Sequence, residues 1–407
     1  MPLPDVIVVG AGVMGCSIGL RLAQAGARVT LLERSIPGAE ASSAAAGALT
    51  PQMEADGPGP FLELCLRSRG LYPKFAAELE ELSGININYL PSGALVIAFS
   101  EDSAHRMEAR VAWQKAFGLR ADLLSGADAR RLEPQLSPAA LAAAHFPDDH
   151  QVDNRLLVRA LSIAAARSGV HFRTGYVRSV LVENDRAIGV DLDGDALRAD
   201  AVVLAAGSWS SLVPGARVNP GMVKPVRGQM VELRARLPLF RAILDSEEGY
   251  LDPRVDGRII AGSTLEFAGF EKQVTLSGLS HILDAARALC PALAELPVQE
   301  FWAGLRPYTE DKCADHRQGT DGGSISGDRP FQKRHLAHAD HRPADLGGHP
   351  RSAARSGPSA FSIRPLWRYL TSPSHQRATT QTIRDAVGLT CVSERRTPSP
   401  PLRRRTK

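Results

Sequence analysis

DVIVVGAGVMGCSIGLRLAQAGARVTLLER, residues 5–34, passes from an apolar β run through a glycine turn into a stretch of helical period, then into a second β run ending at Glu33. That order predicts a βαβ unit. Each glycine has a separate task. Gly10 permits the tight turn, Gly12 lets the backbone approach a pyrophosphate, and Gly15 lets the helix pack close to the strand. The helix N-terminus adds N–H donors and the positive end of a dipole, a ready site for an anion. Glu33, about twenty residues past the turn, is placed to accept ribose hydroxyls. GxGxxG alone is weak evidence; between a strand and a helix, with an acid closing the next strand, it points to a bound dinucleotide.

Composition sets the bounds. The chain has 407 residues, 44% of them hydrophobic, enough for two domains and a folded core. No apolar run has the length of a bilayer crossing, and the N-terminus enters a strand at once, so a cytoplasmic location is expected. Five scattered cysteines without a CxxC pair suggest reduced thiols, with neither a disulfide framework nor a metal site. The net charge of +4 conceals a division: residues 313–407 hold 17 Lys+Arg against 7 Asp+Glu, a net +10, and the preceding residues carry −6. A basic arm for nucleic acid would cluster its charges. These arginines are dispersed among Pro, Ser and His apart from a final RRR, so no nucleic-acid partner is expected.

Beyond the opening unit, AEASSAAAGALTPQ (39–52) is a run of small residues that would let backbone and hydroxyls wrap a planar group; a flexible surface loop is the other reading. Residues 60–84 have helical period and end in Gly, and Asp153 reads as the N-cap of another helix. The run Ala201–Leu204 ends in Ala-Ala-Gly-Ser, small enough for a second close approach to a ligand. Residues 220–310 are strand-rich, a sheet suited to covering a substrate. Within it Tyr250 and Arg306 stand out. An arginine after WAGL at a strand end offers a planar fork for a carboxylate, though taken alone the residue reads more readily as one half of a surface ion pair.

Taken together, VVGAGVMG, LLER, SSAAAGAL, LPSGALVIAFS, VVLAAGSWS, VKPVRGQM and FWAGLRPYTED, in this order and spacing, resemble the flavin-dependent amine oxidases of the D-amino acid oxidase family, and within it the glycine oxidases of thiamine biosynthesis. The resemblance covers residues 5–311. It implies an α/β fold with a Rossmann-like FAD-binding domain (1–90 and 151–219) and an inserted antiparallel-sheet substrate domain (91–150 and 220–312). It also implies FAD as cofactor, no metal, and oxidation of a small amine to its imine with oxygen as acceptor. By the same resemblance Val13 and Met14 join the pyrophosphate turn, and Glu33 and Arg34 meet the adenosine ribose. Ala41, Ser42, Ala46, Gly47 and Ala48 lie along the cofactor and its flavin ring, and Val177 on the adenine side. Arg306 holds the substrate carboxylate and Tyr250 hydrogen-bonds it. The partners so implied are a small-molecule amine, oxygen, a thiazole synthase receiving the imine, and a second copy of the chain in a homo-oligomer, with no membrane.

After Asp311 the family pattern stops. Read one nucleotide out of frame from Ala314, synonymous codons of the residues as far as Arg342 spell PIIGKAPMEGLYLATGHFRNGILLTPITA, which supplies the strand, turn and helix that this family places there. We read residues 313–407 as the product of a shifted frame, and expect them to be largely disordered and FAD to be held weakly.

Overall fold

The computed structural model describes residues 3–309, so the expectations for 313–407 lie outside the described residues. Its centre is a four-stranded sheet in the spatial order Ala201–Leu204, Asp5–Val9, Arg28–Glu33, His171–Thr174, with every pairing parallel. Parallel strands are covered on both faces and therefore read as continuous apolar runs. The run VIVV shows how. Val6 and Val8 pack with the helices Val13–Gln24, Pro60–Ser83 and Asn154–Arg167. Ile7 and Val9 pack on the opposite side, against Val180, Val190 and Leu192 of a three-stranded antiparallel sheet.

The second body is an eight-stranded sheet in the order Val298–Tyr308, Lys224–Arg234, Arg258–Gly262, Tyr250–Pro253, Ile243–Asp245, Ala94–Ala98, Ala142–Phe146, Asp122–Ser125. All its pairings are antiparallel except that of Ile243–Asp245 with Ala94–Ala98. The period of two divides its faces. Val231, Leu251 and Ala261 cover a core closed by Ile282, Ala286 and Leu289 of the helix Leu276–Leu289. Met230, Tyr250 and Ile260, one residue before each, form a cluster with Ala46 on the other face. The chain thus crosses between the sheets more than once: strands of the parallel sheet come from either side of the segment 94–146, which contributes to the eight-stranded one.

The segment that follows the small-residue run is anchored by one carboxylate. Asp149, fully buried, accepts the Gln52 and Met53 N–H groups at 3.2 and 2.8 Å, so it caps the four-residue helix Pro51–Glu54. Arg69 Nη1 reaches the same group at 2.8 Å. Burial pushes the Asp149 pKa up to about 6, against the opposing pull of Arg69 and the two N–H groups. Between an ordinary aspartate value of about 4 and this raised one, the folded chain binds a proton that the unfolded chain has released, so the contribution of Asp149 to stability falls as pH rises through that window. Urea unfolding at a series of pH values checks this. The stability advantage of the wild type over Asp149→Asn should shrink from pH 4 to pH 6, whereas an advantage independent of pH would contradict it.

Candidate active site and cofactor cleft

The glycine turn is built from backbone contacts that only glycine permits. Gly10 has φ +100°, and a Cβ on Gly15 would lie 1.8 Å from the Gly10 oxygen, so the helix Val13–Gln24 sits directly on the turn. Glu33 closes the next strand beside it: Oε2 accepts the Ala11 N–H at 2.9 Å and Oε1 the Ser35 N–H at 3.1 Å. The Val13 N–H donates to Ser42 Oγ at 3.0 Å, which ties the turn to the small-residue segment.

That segment forms one wall of an open cleft. Val13, Ala41, Ser42, Ala46, Gly47 and Ala48 line it, and Tyr250, Met230 and Arg306 face it from the eight-stranded sheet. Register explains the grouping. Tyr250, Gly262, Met230 and Trp302 form one row across four strands, and along Val298–Tyr308 the residues Trp302, Gly304 and Arg306 alternate onto the same face. The two bodies approach very closely here: a Cβ on Gly304 would lie 2.3 Å from the Ala44 Cβ. Trp302 Nε1 donates to the Ala44 oxygen at 3.0 Å.

Electrostatically the cleft is simple. Arg306 is the one charged residue among those that line it. Among the described residues it has no carboxylate partner, and its Nη2 makes a long 3.4 Å hydrogen bond to Ser263 Oγ. Tyr250, 4% exposed, donates its hydroxyl to Met230 Sδ at 3.5 Å. Among the described residues that line the cleft, none carries a carboxylate, imidazole, amine or thiol. The N–H groups of Ala46 and Gly47 have no acceptor among the described residues, so this wall offers backbone donors to an acceptor-rich planar group.

A model of the family described as FAD dependent oxidoreductase matches residues 5–339. The chain belongs to this family. FAD is its cofactor, and the residues present fit it: a glycine turn beside a helix N-terminus with Glu33 adjacent, and a cleft of small residues running from Val13 to Arg306. Over 311 residues the chain is 35% identical to a glycine oxidase of Geobacillus kaustophilus, covering 75% of this chain and 82% of that protein. It is 34% identical to a bifunctional protein ThiO/ThiG of Trichormus variabilis over 76% of this chain, and spans only 47% of that longer protein. The crystal structure of glycine oxidase from G. kaustophilus superposes with a TM-score of 0.72 at 33% identity, over 76% of this chain and 84% of that one.

Seven of the residues singled out from the sequence lie outside the cleft lining: Gly10, Gly12, Gly15 and Glu33, which build the turn, and Met14, Arg34 and Val177. Arg34 stacks over the Trp209 ring at 4.0 Å and pairs with Glu40 at 2.7 Å. Met14 is half-buried in the first helical turn, and Val177 packs with the cluster around Ile7 and Leu32. Conversely, Met230, Gly228, Gly304 and Asn154 line the cleft without having been singled out as site residues. Gly228 and Gly304 are paired across neighbouring strands, a relation that appears only once the register is known.

Gly304→Ala should be costly, since the new methyl has no space before Ala44. A loss of about 1–3 kcal/mol in denaturant unfolding is expected, with weakened FAD binding; an unchanged midpoint would show that the two bodies do not meet here.

Proposed function

We propose that the chain oxidises glycine or a similarly small amine to its imine, which water converts to glyoxylate and ammonia while oxygen is reduced to hydrogen peroxide. The observation that carries this is Arg306, the one cation among the described residues that line the cleft and without a carboxylate partner among them, beside Tyr250 and the small-residue wall. A guanidinium fork matches a carboxylate in two hydrogen bonds. Tyr250 presents a phenol beside it, a neutral hydrogen-bond donor for the same carboxylate. With the carboxylate fixed at one end, the α-carbon is constrained beside the small-residue wall, and positioning supplies much of the rate. FAD, when bound, supplies the acceptor for the two electrons and returns them to oxygen.

The bifunctional ThiO/ThiG relatives support a second part of the reading, that the imine passes to a thiazole synthase.

Peroxide release by the full chain with FAD in excess, measured with glycine, sarcosine and D-alanine, tests the substrate class; no turnover of any of the three would overturn it. Arg306→Met should raise KM for glycine about tenfold to a hundredfold, the worth of a charged hydrogen-bonded pair. Tyr250→Phe should cost about fivefold in kcat/KM, the worth of one neutral hydrogen bond. Equal kinetics for wild type and Arg306→Met would remove Arg306 from the carboxylate site.

A further inference from the structure

The wall of the cleft is held from behind by its carbonyl oxygens. Asn154 Nδ2 donates to the Ser42 oxygen at 2.9 Å and Arg155 Nε to that of Ser43 at 3.5 Å. Trp302 Nε1 takes the Ala44 oxygen, Arg254 Nη2 that of Ala46, and the Val152 N–H that of Gly47 at 3.0 Å. Five carbonyls within six residues are thereby assigned.

Arg254 differs from the other side-chain donors. It is 4% exposed, does not line the cleft, and follows directly on the strand Tyr250–Pro253. Its second nitrogen, Nη1, donates to Gln151 Oε1 at 3.0 Å, and Gln151 pairs in register with Ala48. One guanidinium therefore grips both sides of Gly47, at Ala46 directly and at Ala48 through the neighbouring strand. Burial lowers the Arg254 pKa, and Asp252, Asp153 and Asp256 pull it back up while the Arg258 cation adds to the lowering. The geometry has a necessary consequence. In a trans peptide the C=O and the N–H point in opposite directions. With the Ala46 oxygen drawn back to Arg254, the Gly47 N–H is aimed away from it, and it has no acceptor among the described residues.

We propose that Arg254 is a positioning residue for the cofactor: it fixes the Ala46–Gly47 peptide so that the Gly47 N–H is presented to FAD, on the same strand connection that carries Tyr250 to the substrate. This rests on the reading that FAD lies against residues 44–48. It joins the two halves of the site through one side chain, because a shift of the strand bearing Tyr250 would move the cofactor wall with it.

The test uses the full chain and two variants, with FAD titrated by the quenching of its fluorescence and the position of its visible band recorded. Urea unfolding, followed by the intrinsic tryptophan signal, establishes the folded fraction. Arg254→Met should weaken FAD binding about tenfold to a hundredfold in the folded fraction and displace the visible band, since a charged donor to a buried carbonyl is lost. Arg254→Lys, which keeps the charge without the fork, should recover part of the affinity. If Arg254→Met fails to fold, Gln151→Leu removes one arm of the grip and should shift affinity in the same direction by a smaller factor. A lowered unfolding midpoint with FAD affinity and band position unchanged would reduce Arg254 to a structural role and overturn the proposal, as would an unchanged Gln151→Leu where that variant decides. Failure of the wild type to bind FAD overturns the cofactor placement and this proposal together. FAD binding without glycine turnover overturns only the substrate reading.

Discussion

The active-site cleft depends on the contact between the Gly304 backbone of the eight-stranded sheet and the Ala44 methyl of the small-residue segment, which leaves no room for a side chain at position 304. Close approach of backbone requires glycine on at least one side, and here the other side is alanine. From that contact the remaining geometry follows. It brings the row Tyr250–Gly262–Met230–Trp302 over the segment 44–48, and it sets Trp302 where its indole N–H meets the Ala44 oxygen. The glycine turn is then joined to the same segment through Ser42 Oγ. One continuous cleft results, with the dinucleotide turn at one end and a guanidinium at the other.

The division of labour in this cleft is chemical as well as spatial. Its wall offers small apolar side chains and backbone donors; the eight-stranded sheet adds the Arg306 cation and the Tyr250 phenol, and Tyr72 lines it as well. Such a set binds and orients. A redox cofactor carrying the chemistry, with the protein contributing position and charge complementarity, is the arrangement this lining suits. The ionisable groups with the clearest work in the neighbourhood, Asp149 and Arg254, both act on the backbone of the segment that forms the wall or continues from it.

The fold class was legible in the sequence because its signals are local. The VIVV run, the glycine turn and Glu33 lie within thirty residues, and the parallel sheet they announce is the centre of the structure. Asp153 was readable as a helix N-cap for the same reason, and its carboxylate accepts the Arg155 and Leu156 N–H groups. Tyr250 and Arg306 could be picked out as polar residues in apolar strands, but periodicity alone left Arg306 open between a carboxylate site and a surface ion pair. What decides its surroundings is register with a strand about eighty residues earlier, where Val226 pairs opposite it. Arg254, Asn154 and Trp302 were illegible because their partners are 208, 112 and 258 residues away, and nothing local distinguishes a buried arginine that holds a carbonyl from an exposed one. The three-stranded sheet that covers one face of the parallel strands is also set by long-range packing, through Val180, Val190 and Leu192.

The central claim is that one cleft holds FAD and, beside it, an amine recognised by its carboxylate. Its most direct test is to saturate the full chain with FAD, remove oxygen, and add glycine or methylamine while following the visible band of the bound flavin. The account predicts that glycine bleaches the band and that methylamine, which lacks a carboxylate for Arg306, leaves it intact over the same interval. Bleaching at equal rates by both amines, or by neither while FAD remains bound, would contradict it.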